Sequence, residues 1–469
     1  MKLLATGLVF VLAGCAAKSP ESRIGEHGQE TPGRWAARNE ARAGIDTNWV
    51  SRIGGRQASL FVGEAFQANP NVRIAAERVN RSIAAAKTAG ASMNPQISAG
   101  LNANRSKQVF VGFPFGGGGV PSSQFSSFGS ALSVSWEPDI WGFARAGQAS
   151  LVSLAQAEGQ NYRAVRASLA AQVLRAWLAV TEANEQIALA KEARELRETT
   201  LEIVRDRFSS ALSEQGGSAS QFRLAESELA SSKAMVAQRE GERAQAVRQL
   251  ELLMGRYPKG ALANTQKLPK VPAMPPAGLP SELLLRRPDI LEAERKFAST
   301  GKLLKQGELA FYPSFSLTAQ TGRSTESFKN LLDSDFGVWS LAGNLTQPIW
   351  AGGALRSEYS RLKSDERSAL ASFQGTVLRA FGEVEQALAA ERYLVRREEA
   401  LMNASESSIA AADAAKADYS GGTGDALTLI TAQSNRINLA SQLVTLRRLR
   451  LDNRVTLHLA LGGDYRVGN

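Results

Sequence analysis

The sequence predicts a mixed α-helical and transmembrane β fold, with four membrane-type strands and long coiled-coil helices in each subunit. Three observations predict it. The chain repeats its own order of elements. Four stretches of about 10 residues alternate apolar with small or polar side chains. Two stretches of roughly 66 residues lack proline and carry a helical seam.

The repeat is marked by proline. The spacing from Pro70 to Pro95 recurs from Pro288 to Pro313. The first proline of each pair opens a helical stretch, and the second opens a strand, at Asn94-Pro95-Gln96-Ile97 and Tyr312-Pro313-Ser314-Phe315. Trp136-Glu137-Pro138-Asp139-Ile140-Trp141-Gly142 is matched later by Gln347-Pro348-Ile349-Trp350-Ala351-Gly352-Gly353. A long helical stretch follows each, broken at Gly216-Gly217 and at Gly421-Gly422. Between the copies lies a linker with Pro258, Pro269, Pro272, Pro275, Pro276 and Pro280. Each copy thus reads helix, strand, strand, long helix, tip, helix.

In the strands, Ile97, Leu101 and Ala103 alternate with Ser98, Asn102 and Asn104. Phe128, Leu132, Val134 and Trp136 share one parity, interrupted by Ser130. Phe315, Leu317 and Ala319 alternate with Ser316, Thr318 and Gln320, and Trp339, Leu341 and Leu345 with Ser340, Ala342, Asn344 and Thr346. About 10 residues is what a tilted strand needs to cross a bilayer. A soluble half-buried sheet would also alternate. It would not gather Trp136, Trp141, Trp339 and Trp350 toward strand ends, where interfacial aromatic girdles form. Four strands are too few to close a barrel, and open edges are not tolerated in lipid. The subunit must therefore oligomerise; the strand count alone admits two, three or four copies.

The helical stretches run from about Phe143 to Phe208 and from about Ala354 to Tyr419, each about 100 Å long if fully helical. Val165, Leu169, Val173, Ala176, Val180, Ala183, Ile187 and Ala190 recur at steps of three and four, as do Phe373, Val377, Ala380, Val384 and Ala387. This is a coiled-coil seam, with small residues that allow close approach. Helices of this length suit a fibre or the wall of a tube.

The net charge is +10, spread along the chain rather than gathered in a stripe or tail, which excludes the usual nucleic-acid footprint. The one cysteine, Cys15, follows Lys2, the apolar run Leu3 to Leu12, and Ala13-Gly14. That order is a signal sequence, too short to span a bilayer. Leu12-Ala13-Gly14-Cys15 resembles a bacterial lipobox, which implies acylation of Cys15. The absence of Asp directly after it implies sorting to the outer membrane. The expected organisation is a signal peptide at 1–14, a lipidated extended segment at 15–56, repeats at 57–256 and 283–462 flanking a linker at 257–282, and a tail at 463–469.

Several motifs together resemble the TolC-like outer-membrane efflux proteins, in the lipoprotein branch serving tripartite resistance-nodulation-division pumps. They are Leu279-Pro280-Ser281-Glu282-Leu283-Leu284-Leu285-Arg286-Arg287-Pro288-Asp289-Ile290, Trp136 to Gly142, Phe311-Tyr312-Pro313-Ser314, Pro348 to Gly353, and Leu459-Ala460-Leu461-Gly462-Gly463. The likeness covers nearly the whole mature chain in order. It implies a homotrimer with a 12-stranded β-barrel joined to a 12-helix periplasmic α-barrel. It also implies docking to a periplasmic adaptor and an inner-membrane pump.

Tyr419-Ser420-Gly421-Gly422-Thr423-Gly424-Asp425-Ala426-Leu427 resembles the family's periplasmic entrance loop. Gly421, Gly422 and Gly424 can take the positive φ of a tight helical hairpin, and Asp425 can cap the returning helix. Relatives commonly carry an Asp just inside the entrance. This chain has Thr428 and Thr431 at the matching positions, so the acidic ring does not carry over, and Asp425 is the candidate substitute.

No catalytic, cofactor or metal constellation is evident. His27 and His458 are the only histidines, and neither has a partner at ligand spacing. His458, near the end of the last helix, is placed where a cation favours the helix dipole. Glu383 and Glu385 do not share a helix face. The run Gly116 to Gly119 lacks the Lys-Ser/Thr of a P-loop and reads as an extracellular loop. Arg286-Arg287 reads as structural, bonding neighbouring carboxylates or backbone.

The expected function is a passive, non-enzymatic outer-membrane duct for small molecules. Six Met and two His, scattered, favour organic compounds over metal ions. Two alternatives stay open: a type I secretion exit duct, and a non-conducting periplasmic coiled-coil lipoprotein.

Overall fold

The structure is a computed structural model and describes residues 22–28, 30–37, 48–111, 121–211, 218–262, 267–278 and 280–463. Cys15, the Gly116 to Gly119 run and Gly216-Gly217 lie outside the described residues. In chain order the elements are α1 (Trp49–Ala68), α2 (Pro70–Ala91), β1 (Gln96–Val109), β2 (Ser122–Trp136), α3 (Phe143–Ala211) and α4 (Ala219–Leu253). They continue with α5 (Pro280–Arg286), α6 (Pro288–Leu309), β3 (Ser314–Thr325), β4 (Gly337–Thr346), α7 (Ala354–Gly421) and α8 (Ala426–Ala460). The chain forms two units. One holds 22–25, Val79–Glu158 and Ala293–Ser372; the other holds Glu26–Arg78, Gly159–Glu292 and the chain from Phe373 onward.

The first unit contains the sheet, antiparallel throughout in the order β1-β2-β3-β4. Its register aligns all four alternations on one face. Ile97, Val134, Ala319 and Leu341 form one row across the strands, and Ala99, Leu132, Thr321 and Trp339 the next. The opposite face carries rows such as Ser98, Ser133, Gln320 and Ser340. Two glycines permit the close pairing. A Cβ on Gly129 would meet Asn102 Oδ1 at 2.2 Å, and one on Gly322 would meet the Ser130 carbonyl oxygen at 1.9 Å. β1 and β2, at 14 and 15 residues, exceed the expected strand length. Backbone pairing continues through Arg105-Ser106-Lys107-Gln108 because ladder hydrogen bonds do not require apolar side chains.

The tryptophan motifs build the corners below the sheet. Trp136 Nε1 donates to the Met93 carbonyl at 2.9 Å, and Trp141 Nε1 to that of Pro313 at 2.8 Å. Asp139 caps α3, accepting from the Ala144 and Arg145 backbone at 3.0 and 2.9 Å and from Arg145 Nε at 3.0 Å. Near the start of α6, Glu294 is fully buried and accepts from the Arg23 backbone at 2.6 Å, while the Arg23 guanidinium lies 3.7 Å over the Phe297 ring.

The second unit has a core around Trp49, Ile53, Val173, Leu174, Trp177, Leu178, Val247 and Leu250. α1 begins at Trp49, inside the segment expected to be extended. Gly54-Gly55 masks its helical pattern. Gly55 takes φ +67 at a kink, and a Cβ on Gly54 would meet Leu174 Cδ1 at 2.7 Å. The α3 seam is one stripe of a wider buried surface that includes Ala170, Ala171, Leu174, Trp177 and Leu178. Periodicity finds one contact face, whereas α3 packs here against helices on several sides. On α7 the predicted seam Phe373, Val377, Ala380, Val384 and Ala387 is buried throughout.

That seam then turns ionic. Glu391 and Glu398, one and two heptads after Val384, are buried against arginines of α8. Glu391 accepts from Arg450 at 2.7 Å and Arg454 at 3.0 Å, and Glu398 accepts from Arg447 at 3.3 Å and also from Arg450. The linker is pinned by carboxylates and by an indole. Glu185 accepts from Leu268 N at 2.6 Å, and Glu251 from Gly260 N at 2.7 Å. Trp35, buried, donates to the Gly278 carbonyl at 3.1 Å and meets Phe381 edge-on at 6.1 Å.

Candidate functional site

Two features stand out as candidate sites: the strand sheet in the first unit and the helical tip in the second. On the sheet, the apolar face is open. Leu101 is 80% exposed and Trp339 81% exposed. Neither outer edge of the sheet, on β1 or on β4, pairs with another strand among the described residues. Of the predicted interfacial aromatics, Trp136 is half-buried and Trp141 packs on Tyr312 at 5.5 Å. Trp339 and Trp350 stand out from the surface.

At the tip, α7 ends in a turn wrapped on the Asp418 carbonyl, which accepts from Thr423 N and Gly424 N at 3.0 Å each and from Thr423 Oγ1 at 3.1 Å. Of the three glycines proposed for positive φ, only Gly422 adopts it, at +89. Gly424 serves space instead, because a Cβ there would sit 2.9 Å from Tyr419 N. Gly421 stays in the last helical turn with open space beside it.

Asp425 caps α8, accepting from Thr428 N at 2.9 Å and Thr428 Oγ1 at 2.7 Å. These hydrogen bonds, the hydroxyl one foremost, hold its carboxyl below the usual aspartate range. The carboxylate is thus engaged within its own turn. Thr431 is exposed one turn further on.

Beneath the turn, Tyr419 is buried with Val204, Ala225, Ala426 and Leu429. The Arg207 guanidinium lies 4.3 Å over its ring and donates to its carbonyl. Arg207 had no signal in the sequence, because its partner is more than two hundred positions away. Further along, Arg197 is buried and donates to Gln433 Oε1 at 2.7 Å and to the Ile430 carbonyl at 3.2 Å, with Glu228 at 3.4 Å from its Nε. Burial lowers its pKa, and Glu228 opposes the shift. A groove of about 280 Å³ between α3, α4 and α8 runs beside it.

The remaining candidates are structural. Arg287 donates to Asp289, to Glu383 at 2.7 Å and to the Ala460 carbonyl at 3.0 Å. Arg286 pairs with Glu282 at 3.2 Å. Glu385 accepts from the Ala36 and Ala37 backbones at 2.6 and 2.9 Å. His458 lies in the last turn of α8, as its sequence position predicts. It is buried and stacked on Trp49 at 5.7 Å. Among the described residues no group of three or more His, Cys, Asp or Glu could hold a metal ion, and no helix is long and apolar enough to cross a membrane.

The profile of the family described as "Outer membrane efflux protein" matches residues 61–256 and 279–463. The probable outer membrane lipoprotein SilC of Salmonella typhimurium is 25% identical, over 99% of each chain. The outer membrane protein OprJ of Pseudomonas aeruginosa is 29% identical over 92% of this chain and 90% of its own. The structure of the outer-membrane channel OprN superposes with a TM-score of 0.83 at 23% identity, covering 93% of this chain and 98% of that one. The two-part match, the four-stranded sheet and the paired long helices agree: this chain belongs to the outer membrane efflux protein family.

Proposed function

We propose that three copies of this chain close one channel, a 12-stranded barrel in the outer membrane continuous with a 12-helix periplasmic tunnel. As a family member the chain is an outer-membrane efflux channel subunit. The finer reading is a passive exit for small organic molecules. A resistance-nodulation-division pump in the inner membrane, coupled through a periplasmic adaptor, would supply the energy. The observation that carries the assembly is the sheet itself: among the described residues it has four strands, one exposed apolar face and two unpaired edges. In lipid, such edges must be satisfied by further copies.

The tip is the proposed periplasmic entrance. Thr428 and Thr431 place no carboxylate there, and Asp425 is engaged as a cap. The Arg207–Tyr419 clamp is the proposed hold on the α7–α8 turn.

The test is reconstitution of the purified full chain into planar bilayers, with cross-linking to count copies. The expected result is a trimer in which Arg207→Gln raises conductance or open probability while Thr431→Ala leaves cation block unchanged. A protein that neither trimerises nor conducts, even with Arg207→Gln, overturns the channel in favour of a periplasmic scaffold. Loss of block with Thr431→Ala overturns the gate.

A further inference from the structure

The outward face of the sheet does not remain apolar to its end. Beyond the row of Ala103, Phe128 and Thr325, the β1 positions that face outward become Arg105 and Lys107. They keep the parity of Ile97 and Leu101, so they stand on the same face. Arg105 and Lys107 are two residues apart, about 7 Å along the strand. Their register partners on β2 are Ser126 and Gln124, and Arg105 donates to Gln124 Oε1 at 3.3 Å. Arg323 of β3 shares the face, opposite Ser130 and Leu101. Among the described residues, no carboxylate pairs with any of these three cations.

Their level is set by neighbouring aromatics. Phe128 lies on the same face, edge-on to Phe328 at 5.8 Å, and Trp339 stands one row below Arg323. Such rings mark the boundary between hydrocarbon and headgroups. With the sheet read as a membrane wall, Arg105 and Lys107 fall past that boundary, at headgroup depth, at the end of the strands away from the long helices. Arg323, on the boundary, has a stem long enough to reach the same layer. Three unpaired cations with hydroxyl and amide neighbours form a surface suited to phosphate.

We propose that Arg105, Lys107 and Arg323, with Gln124 and Ser126, bind the phosphate groups of an anionic lipid in the outer leaflet. This rests on the reading of the sheet as a membrane wall. The site would fix lipid at the barrel rim and set the depth of the wall in the bilayer.

The test uses the full assembled chain, with conductance recorded in parallel. It is placed in phosphatidylcholine vesicles carrying either lipid A or dephosphorylated lipid A, and lipid retained after extraction is counted by native mass spectrometry. The expected result is preferential retention of lipid A. Removing one cation (Arg105→Gln, Lys107→Gln or Arg323→Gln) should weaken retention about fivefold, and removing all three on the order of 100-fold. Lys233→Gln, a charge change on a helix, should retain lipid A like the parent.

Equal retention of the two lipids by the parent overturns the proposal. So does a triple variant that binds like the parent, or displacement of lipid A by inorganic phosphate, which would show recognition of the free ion. If the parent neither inserts nor conducts, the membrane-wall reading fails first, and the proposal falls with it.

Discussion

Arg287 and Glu383 meet at 2.7 Å and join the start of the second repeat to α7. The same guanidinium holds Asp289 and the Ala460 carbonyl, so one planar fork ties three segments of the second unit together. Arg287→Ala should destabilise the protein toward the lower end of roughly 3–5 kcal/mol, because Glu383 keeps partial access to water. Arg287→Lys should recover little of it, since an ammonium cannot serve the three acceptors in that geometry. Chemical denaturation of the two variants checks both statements.

Trp35 anchors the N-terminal segment under the linker. Trp35→Ala should cost about 3 kcal/mol, confined to local opening of that segment. Hydrogen exchange should then accelerate at the Ala36 and Ala37 amides, whose protection comes from Glu385. Conductance should not change.

Gly322→Val should prevent correct pairing of β2 with β3, because the added Cβ falls on the Ser130 carbonyl. The cost should be about 3 kcal/mol or more. Heat-resistant oligomer on a denaturing gel should disappear, while far-ultraviolet helicity is kept.

Asp425 has a depressed folded-state pKa, so its stabilisation is present above the unfolded value of about 4 and is lost as pH falls through the lower folded value. Protection of the Thr428 amide should therefore be constant from neutral pH to about pH 4 and fall only below it. Asp425→Asn should keep most of the cap, and Asp425→Ala should lose it.

Asp452 behaves in the opposite sense. Burial, the largest influence, raises its pKa against the pull of Arg448, and its Oδ1 has no hydrogen-bond partner among the described residues. A raised folded pKa contributes stability that is present below the unfolded value and lost as pH rises through the folded one. Asp452→Asn should thus raise the melting temperature at pH 7 and leave it nearly unchanged below about pH 4.

Local pattern carried the strands, the long helices and the α7 seam, because alternation and heptads are written in neighbouring residues. Of the core around Trp49 and Trp177, only the α3 seam residues such as Leu169, Val173 and Val180 were legible. Gly54-Gly55 interrupts the one helical pattern that would have revealed the rest, and its partners come from distant segments. At the tip, the glycines and the Asp425 cap were readable as a turn. The Arg207–Tyr419 contact was not, since nothing near Arg207 in the chain marks its partner. The last-turn position of His458 was readable, but its burial on Trp49 was not, because a position near a helix end says nothing about what packs upon it.

A seam made of Ala380, Val384 and Ala387 would tolerate mis-staggered pairing, since any small apolar neighbour serves nearly as well. Glu391 and Glu398 limit that tolerance, because each spans two arginines spaced one turn apart on α8. Slide α8 by two turns along α7, and one of the two carboxylates enters the core without an arginine, at a cost of several kcal/mol. The ion pairs therefore restrict how far the hairpin can slip. In the proposed channel, a slipped chain would carry that cost before it met a second copy.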